Sequence, residues 1–313
     1  MSFAAMMLVA MVLDAAIGWP QGLYARIGHP VTWIGGLIRW LDRALNHDAA
    51  TDFSRRVAGI VTAFLVIGIA GGVACALQSL LPAGWVGILV GGVLAWPLLA
   101  LRAMYGHVAA VVSPLKNNDL EQARFAVSMI VGRNTAVLDP AGVARAAMES
   151  LAENTSDGIV APLFWGAVLG LPGIAAYKAI NTLDSMIGHR TPRFEAFGWA
   201  SARIDDLVNL IPARATGLVF AVVSAAPRQA LRVMWRDAGL HRSPNAGWPE
   251  AAMAAGLGVR LSGPRVYEGR VADEPWVNAG APDPSAADLQ RGLALYVRAM
   301  FVLAAALLAL ALV

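Results

Sequence analysis

Three long stretches of this chain have no use for water. Residues 57–77 carry no charge, are rich in small side chains, and are long enough to cross a bilayer. Residues 85–101 form a second such stretch, with Pro97 as a kink. Residues 292–313 form a third, interrupted only by Arg298, whose long stem lets its head reach the interface. Composition agrees. The chain is 58% hydrophobic and 14% charged, against about 25% charged in a soluble domain. Residues 1–17 read as a shorter first span ending near Asp14. Arg26 is the first basic residue, so that span is expected to be retained rather than cleaved as a signal peptide.

Two further apolar segments are broken. Residues 159–177 hold Pro162, Gly166, Gly170, Pro172 and Gly173, and residues 207–226 hold Asn209, Pro212 and Arg214. Non-helical backbone at membrane depth needs protein or a cavity around it. The first of these either crosses simply, leaving Asp157 and Asp184 on opposite faces, or dips in and returns so that they can meet; the second is expected, because a site needs converging groups. The resulting fold class is an all-α polytopic membrane protein of about four to six membrane-embedded helices. One or two of them are broken or re-entrant, and cytoplasmic helical segments complete it. The chain is treated as one membrane-embedded unit. It comprises N-terminal spans (1–101), a region of acidic motifs (102–226), a cytoplasmic helix-and-loop segment (227–291) and a C-terminal span (292–313).

Arg26, Arg39, Arg43, Arg55 and Arg56 precede the 57–77 span, and Arg102, Lys116, Arg124, Arg133 and Arg145 follow the 85–101 span. The intervening 78–84 loop is uncharged. The positive-inside bias puts the two basic loops in the cytoplasm and the N-terminus outside. Net charge is +3 with no basic tract, which argues against a nucleic-acid partner. Cys75 is the only cysteine, so no intrachain disulfide forms. In the soluble parts, Asp139-Pro140 is an N-cap followed by proline at the first helical position, and that helix should reach about Asn154. Asn118 or Asp119 opens another, through Val131. No useful strand pattern is visible.

Between Met148 and Arg214 the chain concentrates its expensive groups. Arg145, Glu149, Glu153 and Asp157 follow one another at four-residue spacing, one slowly drifting stripe on a helix. A solvated face with an Arg145–Glu149 pair is the structural reading. It leaves Glu149 facing Glu153, a like-charge pair that a divalent cation such as Mg2+ would relieve. Residues 173–186 can form a helix stopped by Gly188, on which Tyr177, Asn181 and Asp184 share a face. A purely structural account makes Tyr177 an interfacial residue over a polar turn. Lys178, one of two lysines, is a point charge suited to phosphate. Asp205 and Asp206 stand at helical spacing from Asn209, and Arg203 can partner Asp206. Arg214, seated in an apolar run, needs an anion: a carboxylate or a ligand phosphate. His29 and His189 have no metal-ligand spacing and read as structural or substrate-contacting. Residues 243–250 form a turn whose amides could hold a phosphate. Three separated acidic motifs make sense together if Asp157, Asp184 and the Asp205-Asp206 pair converge.

These motifs resemble those of a known family. Glu149-Ser150-Leu151-Ala152-Glu153-Asn154, Asp157-Gly158 and Ala161-Pro162-Leu163-Phe164 are similar to the ESxAEN…DG…APLF pattern of the CobD/CbiB family. The stretches 177–186, 197–209, 212–214 and 243–251 continue the likeness, as do His29-Pro30-Val31 and Gly35. Trp19-Pro20 departs from it where the family has an acidic residue before proline.

The resemblance implies an adenosylcobinamide-phosphate synthase. Such an enzyme uses ATP to join adenosylcobyric acid, as an amide, to (R)-1-aminopropan-2-ol or its O-phosphate. ATP and Mg2+ are then the expected cofactors, and the cell inner membrane, with the site facing the cytoplasm, the expected location. Membrane lipid, and the enzymes that supply the amine or act later in the pathway, are the expected partners. Glu149, Glu153, Asp157 and Asp184 are the candidate catalytic groups. Asn154, Lys178, Asn181, Arg203, Arg214 and Asn245 are the candidate nucleotide or phosphate contacts. Glu153, Asp157, Asp205 and Asp206 are the candidate metal ligands. A Mg2+-dependent transferase of a prenyl or lipid phosphate would also use paired aspartates near the bilayer, and a transporter would also use broken helices.

Overall fold

The computed structural model describes residues 2–267, 270–272 and 274–313, and it is built of helices. Three of them are long and apolar enough to cross a membrane: Asp52–Ser79, Trp85–Lys116 across the Pro97 break, and Ala286–Leu312. The count rises to five if two bent helix pairs are each taken as one span. The protein is therefore an all-α polytopic membrane protein. The chain divides into two compact units that interleave along the sequence. One comprises Met1–Ala100, Ala161–Asn209 and Ala306–Val313, and the other Leu101–Val160 and Leu210–Ala305.

In the first unit, α1 (Phe3–Ile17), α2 (Gln21–Ile27), α3 (Pro30–Leu45), α4 (Asp52–Ser79) and α5 (Trp85–Ala95) precede α9 (Ala161–Leu169), α10 (Leu171–Ile187) and α11 (Trp199–Val208). His29 caps α3: its Nδ1 accepts from the Val31 amide at 3.2 Å, and Thr32 completes a capping box. The structural reading of this histidine holds. Thr51 starts α4 five residues before the apolar run, because its hydroxyl accepts from the Ser54 amide and so fixes the helix entry.

The 159–177 segment does reverse. Gly170 adopts φ +72°, and a Cβ on Gly173 would lie 2.2 Å from the Trp165 carbonyl, so α9 and α10 pack as a close hairpin. The exposed start of α10 is capped from α4: the Leu171 amide donates to Gln78 Oε1 at 2.7 Å. α10 then runs antiparallel to α4. Gly71 lies against Ala176, and Gly59 against the Phe197 carbonyl just beyond the end of α10. Ile38, Ala63, Val66, Leu183, Ile187 and Phe197 fill the core between α3, α4 and α10. Gly91 and Gly92 of α5 let Met6 and Val9 of α1 approach closely.

Arg55, read from sequence as a topology signal, is buried. Its Nε donates to Asn46 Oδ1 at 2.9 Å and its Nη2 donates to the Pro192 and Arg193 carbonyls. With the Asp42–Arg193 ion pair at 2.9 Å, it pins the 189–198 turn to the start of α4.

In the second unit, α6 (Leu101–Lys116), α7 (Leu120–Ser128) and α8 (Pro140–Thr155) are followed by a π-helical turn at Ser156–Val160. Asp119 and Asp139 cap α7 and α8 as expected, though α7 stops at Ser128 rather than Val131. After α12 (Leu210–Val223) and α13 (Pro227–Asp237), the helix α14 (Gly247–Leu257) is enclosed on all sides. Two small antiparallel ladders, which no strand pattern announced, pair β1 (Leu261–Ser262) with β4 (Trp276–Val277) and β2 (Arg265–Tyr267) with β3 (Arg270–Ala272). The last helix, α15 (Ala286–Leu312), starts six residues before the apolar run.

The close approach of α4 to Phe197 makes a sharp expectation. In Gly59→Ala the new Cβ would sit 1.8 Å from a backbone oxygen, and backbone cannot step aside as a side chain can. We expect a loss of about 1–3 kcal/mol, read as thermal stability in detergent. Gly68→Ala, on the same helix with nothing within 4 Å, should be neutral or gain up to about 1 kcal/mol. Equal effects at the two positions would remove the close packing from the account.

Candidate active site

In the first unit the polar end of α10 meets α11. Asp184, half-buried, lies close enough to Asp206 for the two carboxylates to repel each other. His189 opposes that charge at Asp184, and Arg203 and Arg190 do so at Asp206. Arg203 donates to Asp206 at 3.0 Å, the structural pairing anticipated from i,i+3 spacing. Asp205 points elsewhere: its Oδ2 accepts from Asn209 Nδ2 at 3.0 Å, and Asn209 Oδ1 accepts from the Tyr177 hydroxyl at 2.9 Å. Tyr177 is 1% exposed. It is a buried anchor, not the interfacial residue that the structural reading proposed, because Asn209 supplies the partner its hydroxyl needs. Tyr177–Asn209–Asp205 thus locks α10 to the end of α11 and leaves Asp206 on the outer side of that helix. Lys178 lies within electrostatic reach of His29, and Asn181 is half-buried on the face of α10 that carries Asp184.

The second unit carries the 149–157 stripe, and its members diverge in environment. Glu149 is buried: its Oε2 takes Arg133 at 2.9 Å and its Oε1 takes the Ser262 amide at 2.8 Å. The cation that relieves Glu149 is therefore a guanidinium. Arg145 engages Asp283 at 2.8 Å and lies 4.8 Å from the Trp276 ring centre. Arg260 also binds Asp283, and that hydrogen bond, with Arg145 adding to it, holds the Asp283 carboxyl below its usual range. Glu153 and Asn154 are exposed, and Asn154 donates to the Ser150 carbonyl at 2.9 Å. Asp157, half-buried, sits in the π-helical turn. Such turns widen a helix by one residue and recur at functional sites. Four-residue spacing gave no sign of it.

Arg214 has protein partners. Nη1 donates to the Leu210 carbonyl at 2.7 Å and the guanidinium lies 4.4 Å from the Trp248 ring centre. An indole face and a carbonyl thus accompany the guanidinium within the protein. The 243–250 turn also differs from expectation. The Ser243 amide donates to His241 Nδ1, and the Asn245 and Ala246 amides donate to Ser243 Oγ, so these amides serve the turn itself. Asn245 is buried in it. Sequence reasoning passed over Glu250, 1% exposed and 3.7 Å from His241 Nε2, and over Arg133, counted only as a loop charge. Among the described residues no group of three or more His, Cys, Asp or Glu side chains is arranged to hold a metal.

Fold and site together define a polytopic α-helical membrane protein whose carboxylates, amides and guanidinium groups gather at the ends of buried helices. A family model for the CobD/Cbib protein matches residues 7–296. Over 300 residues the chain is 67% identical to the cobalamin biosynthesis protein CobD of Rhodobacter capsulatus, covering 96% of this chain and 95% of the relative. It is 45% identical to the Sinorhizobium fredii protein of that name, over 96% of this chain and 94% of the relative. The Brucella suis protein is also 45% identical, over 97% and 96%. No solved structure gives a significant match. The chain belongs to the CobD/CbiB family of cobalamin biosynthesis proteins.

Glu149 and Arg133 yield a separable expectation. Removing one member of a buried ion pair leaves the other charge uncompensated, at a cost of about 3–5 kcal/mol. Glu149→Ala should therefore lower the melting temperature sharply, and Glu149→Leu combined with Arg133→Met should recover most of it. A stable but inactive Glu149→Ala protein would instead place Glu149 in the chemistry.

Proposed function

We propose that this protein is an ATP-dependent acid–amine ligase joining adenosylcobyric acid to (R)-1-aminopropan-2-ol or its O-phosphate, at the cytoplasmic side of the inner membrane. The observation that carries the reading is the family match over residues 7–296, which takes in every acidic motif of the chain. Within the first unit, Asp184 on α10 and the Arg203-paired Asp206 on α11 are near enough to feel each other's charge, and half-buried carboxylates so grouped are candidates for handling a cation or a proton.

The chemistry asks for that. A carboxylate does not react with an amine at neutral pH. Transfer of the terminal phosphoryl group of ATP to a propionate oxygen gives an acyl phosphate and ADP. Attack of the amine nitrogen on the acyl carbon then forms the amide and expels phosphate, and the ammonium must first lose its proton. Hard oxygen donors suit Mg2+, which would neutralise phosphate charge, and the Asp184–Asp206 pair fits that ion. Asp205 is a poorer candidate ligand, because Asn209 already holds one of its oxygens; we assign it to positioning α11. Lys178 and Arg203 are assigned to phosphate, with Arg203 beside Asp206 at 3.0 Å, and Asn181 to orienting a substrate group along α10.

Of the second unit's residues, Glu153 and Asp157 remain our candidates for base or metal ligand, Asn154 and Asn245 for nucleotide contacts. Arg214 would bind phosphate with the part of its guanidinium fork not given to Leu210.

The deciding assay uses purified protein in detergent with ATP and Mg2+. ADP and phosphate should appear only when both adenosylcobyric acid and the amine are present, with the amide product seen by mass spectrometry. ATP turnover indifferent to either substrate would sink the reading. Asp184→Asn should abolish product, by on the order of a hundredfold or more, while raising the melting temperature at neutral pH, since it removes the repulsion with Asp206. Glu153→Gln and Asp157→Asn should lose product while staying folded. An Asp184→Asn protein that is active, or less stable than the parent, would return Asp184 to a structural role.

A further inference from the structure

Lys178, Asn181 and Asp184 lie on α10, and α10 has a neighbour that precedes every acidic motif in the chain, α3. Three observations set how the two helices meet. Pro30, at the start of α3, and Ala175 of α10 line the same groove. His29, which caps α3, lies within electrostatic reach of Lys178. Farther along α3, Gly35 is buried against α10: a Cβ there would lie 3.2 Å from Met186 Sδ. Along the axis of α10, Met186 is about 3 Å from Asp184 and about 12 Å from Lys178.

The space that glycine leaves is shared with a guanidinium. The Cβ position of Gly35 is 3.5 Å from Arg39 Nη1, and that of Gly36 is 4.0 Å from Arg39 Nη2. The head of Arg39 therefore lies back across the glycine pair, beside Met186, with both Nη groups held over α3. The side chain is exposed, and among the described residues its guanidinium has neither an ion pair nor a hydrogen-bond acceptor. Arg43, one turn on, spends its Nε on the Arg39 carbonyl at 3.2 Å. A guanidinium offers a planar fork of donors that matches phosphate oxygens. We propose that Arg39 is a phosphate-binding residue of this site, its Nη pair taking phosphate oxygens from the α3 side while Lys178 holds the same ligand from α10. The inference rests on the ligase reading above, in which the site handles phosphoryl groups. ATP or the amine's O-phosphate supplies the phosphate, and both present the same oxygens. A charge that only fixes topology needs no more than its sign, so lysine would serve as well and Arg43 would count equally.

The test is steady-state kinetics on the full chain purified in detergent, with the melting temperature as the control for folding. We expect Arg39→Gln to raise the KM for ATP, or for the amine O-phosphate, by about ten- to a hundredfold in a protein that melts like the parent. Which KM moves identifies the source of the phosphate. Arg39→Lys keeps the charge without the fork and should recover only part of that loss. Arg43→Gln should leave both KM values at those of the parent. Unchanged KM values in Arg39→Gln, full rescue by lysine, or an equal loss in Arg43→Gln would overturn the proposal and return Arg39 to a topology charge. Should Arg39→Gln fail to fold, Arg39→Lys carries the test alone, a raised KM supporting the proposal and a parent-like one ending it. Should the parent form no amide, the ligase reading falls, and Arg39 is judged by magnesium pyrophosphate instead. Thermal stabilisation of the parent that Arg39→Gln loses would uphold the phosphate role. Stabilisation that both proteins share, or that the parent lacks, would exclude it.

Discussion

One side chain holds the centre of the first unit in place. Where the chain reverses at Gly170 it presents the open end of a helix, whose first amides have no partner within the helix. Gln78, at the far end of α4, supplies the acceptor. That contact fixes the register in which α10 lies against α4. The register in turn brings Gly59 beneath Phe197 and turns Asp184 toward α11. A glutamine at the end of an uncharged run looks unremarkable in the sequence. Its partner lies 93 residues away, so no local pattern could mark it.

That distance separates what was legible from what was not. Local grammar worked: Asp139-Pro140 began a helix, Asp119 began another, Pro97 broke a span, and the glycine- and proline-rich 159–177 segment turned back. Arg203 with Asp206, and Asp205 with Asn209, were readable from helical spacing. The misreadings were non-local. Arg55 looked like an interfacial charge because Asn46 and the 192–193 carbonyls are not visible from its neighbours. The contact of Arg214 with Trp248 was equally invisible, because Trp248 is far along the chain. The short ladders at 261–277 are too brief to establish a period of two. The π-turn around Asp157 has no sequence period of its own. The family likeness reached further than any of these, because several long motifs in fixed order carry information that no single spacing does.

The two candidate clusters differ in the kind of electrostatics they display. Glu149 is satisfied from both sides and buried, the signature of a residue that builds structure. Asp184 and Asp206 are half-buried, with Arg203 paired to Asp206 at 3.0 Å and His189 opposing the charge at Asp184. Family motifs include both without distinguishing them. Geometry is what separates a motif's scaffold from its chemistry.

The interleaving of the two units bears on synthesis. The first hundred residues of one unit emerge well before residues 161–209, and α10, which closes its core, lies in the later piece. At about 5–20 residues per second, α1, α4 and α5 wait for seconds in the membrane with the small-residue faces that receive α9 and α10 uncovered. No contiguous fragment of the gene encodes either unit, so neither is free to fold as an N-terminal module ahead of the rest. Premature termination anywhere before about residue 209 leaves inserted spans with no core to join, a natural substrate for membrane quality control. Dividing the chain at 100/101 should give halves that assemble only if co-expressed.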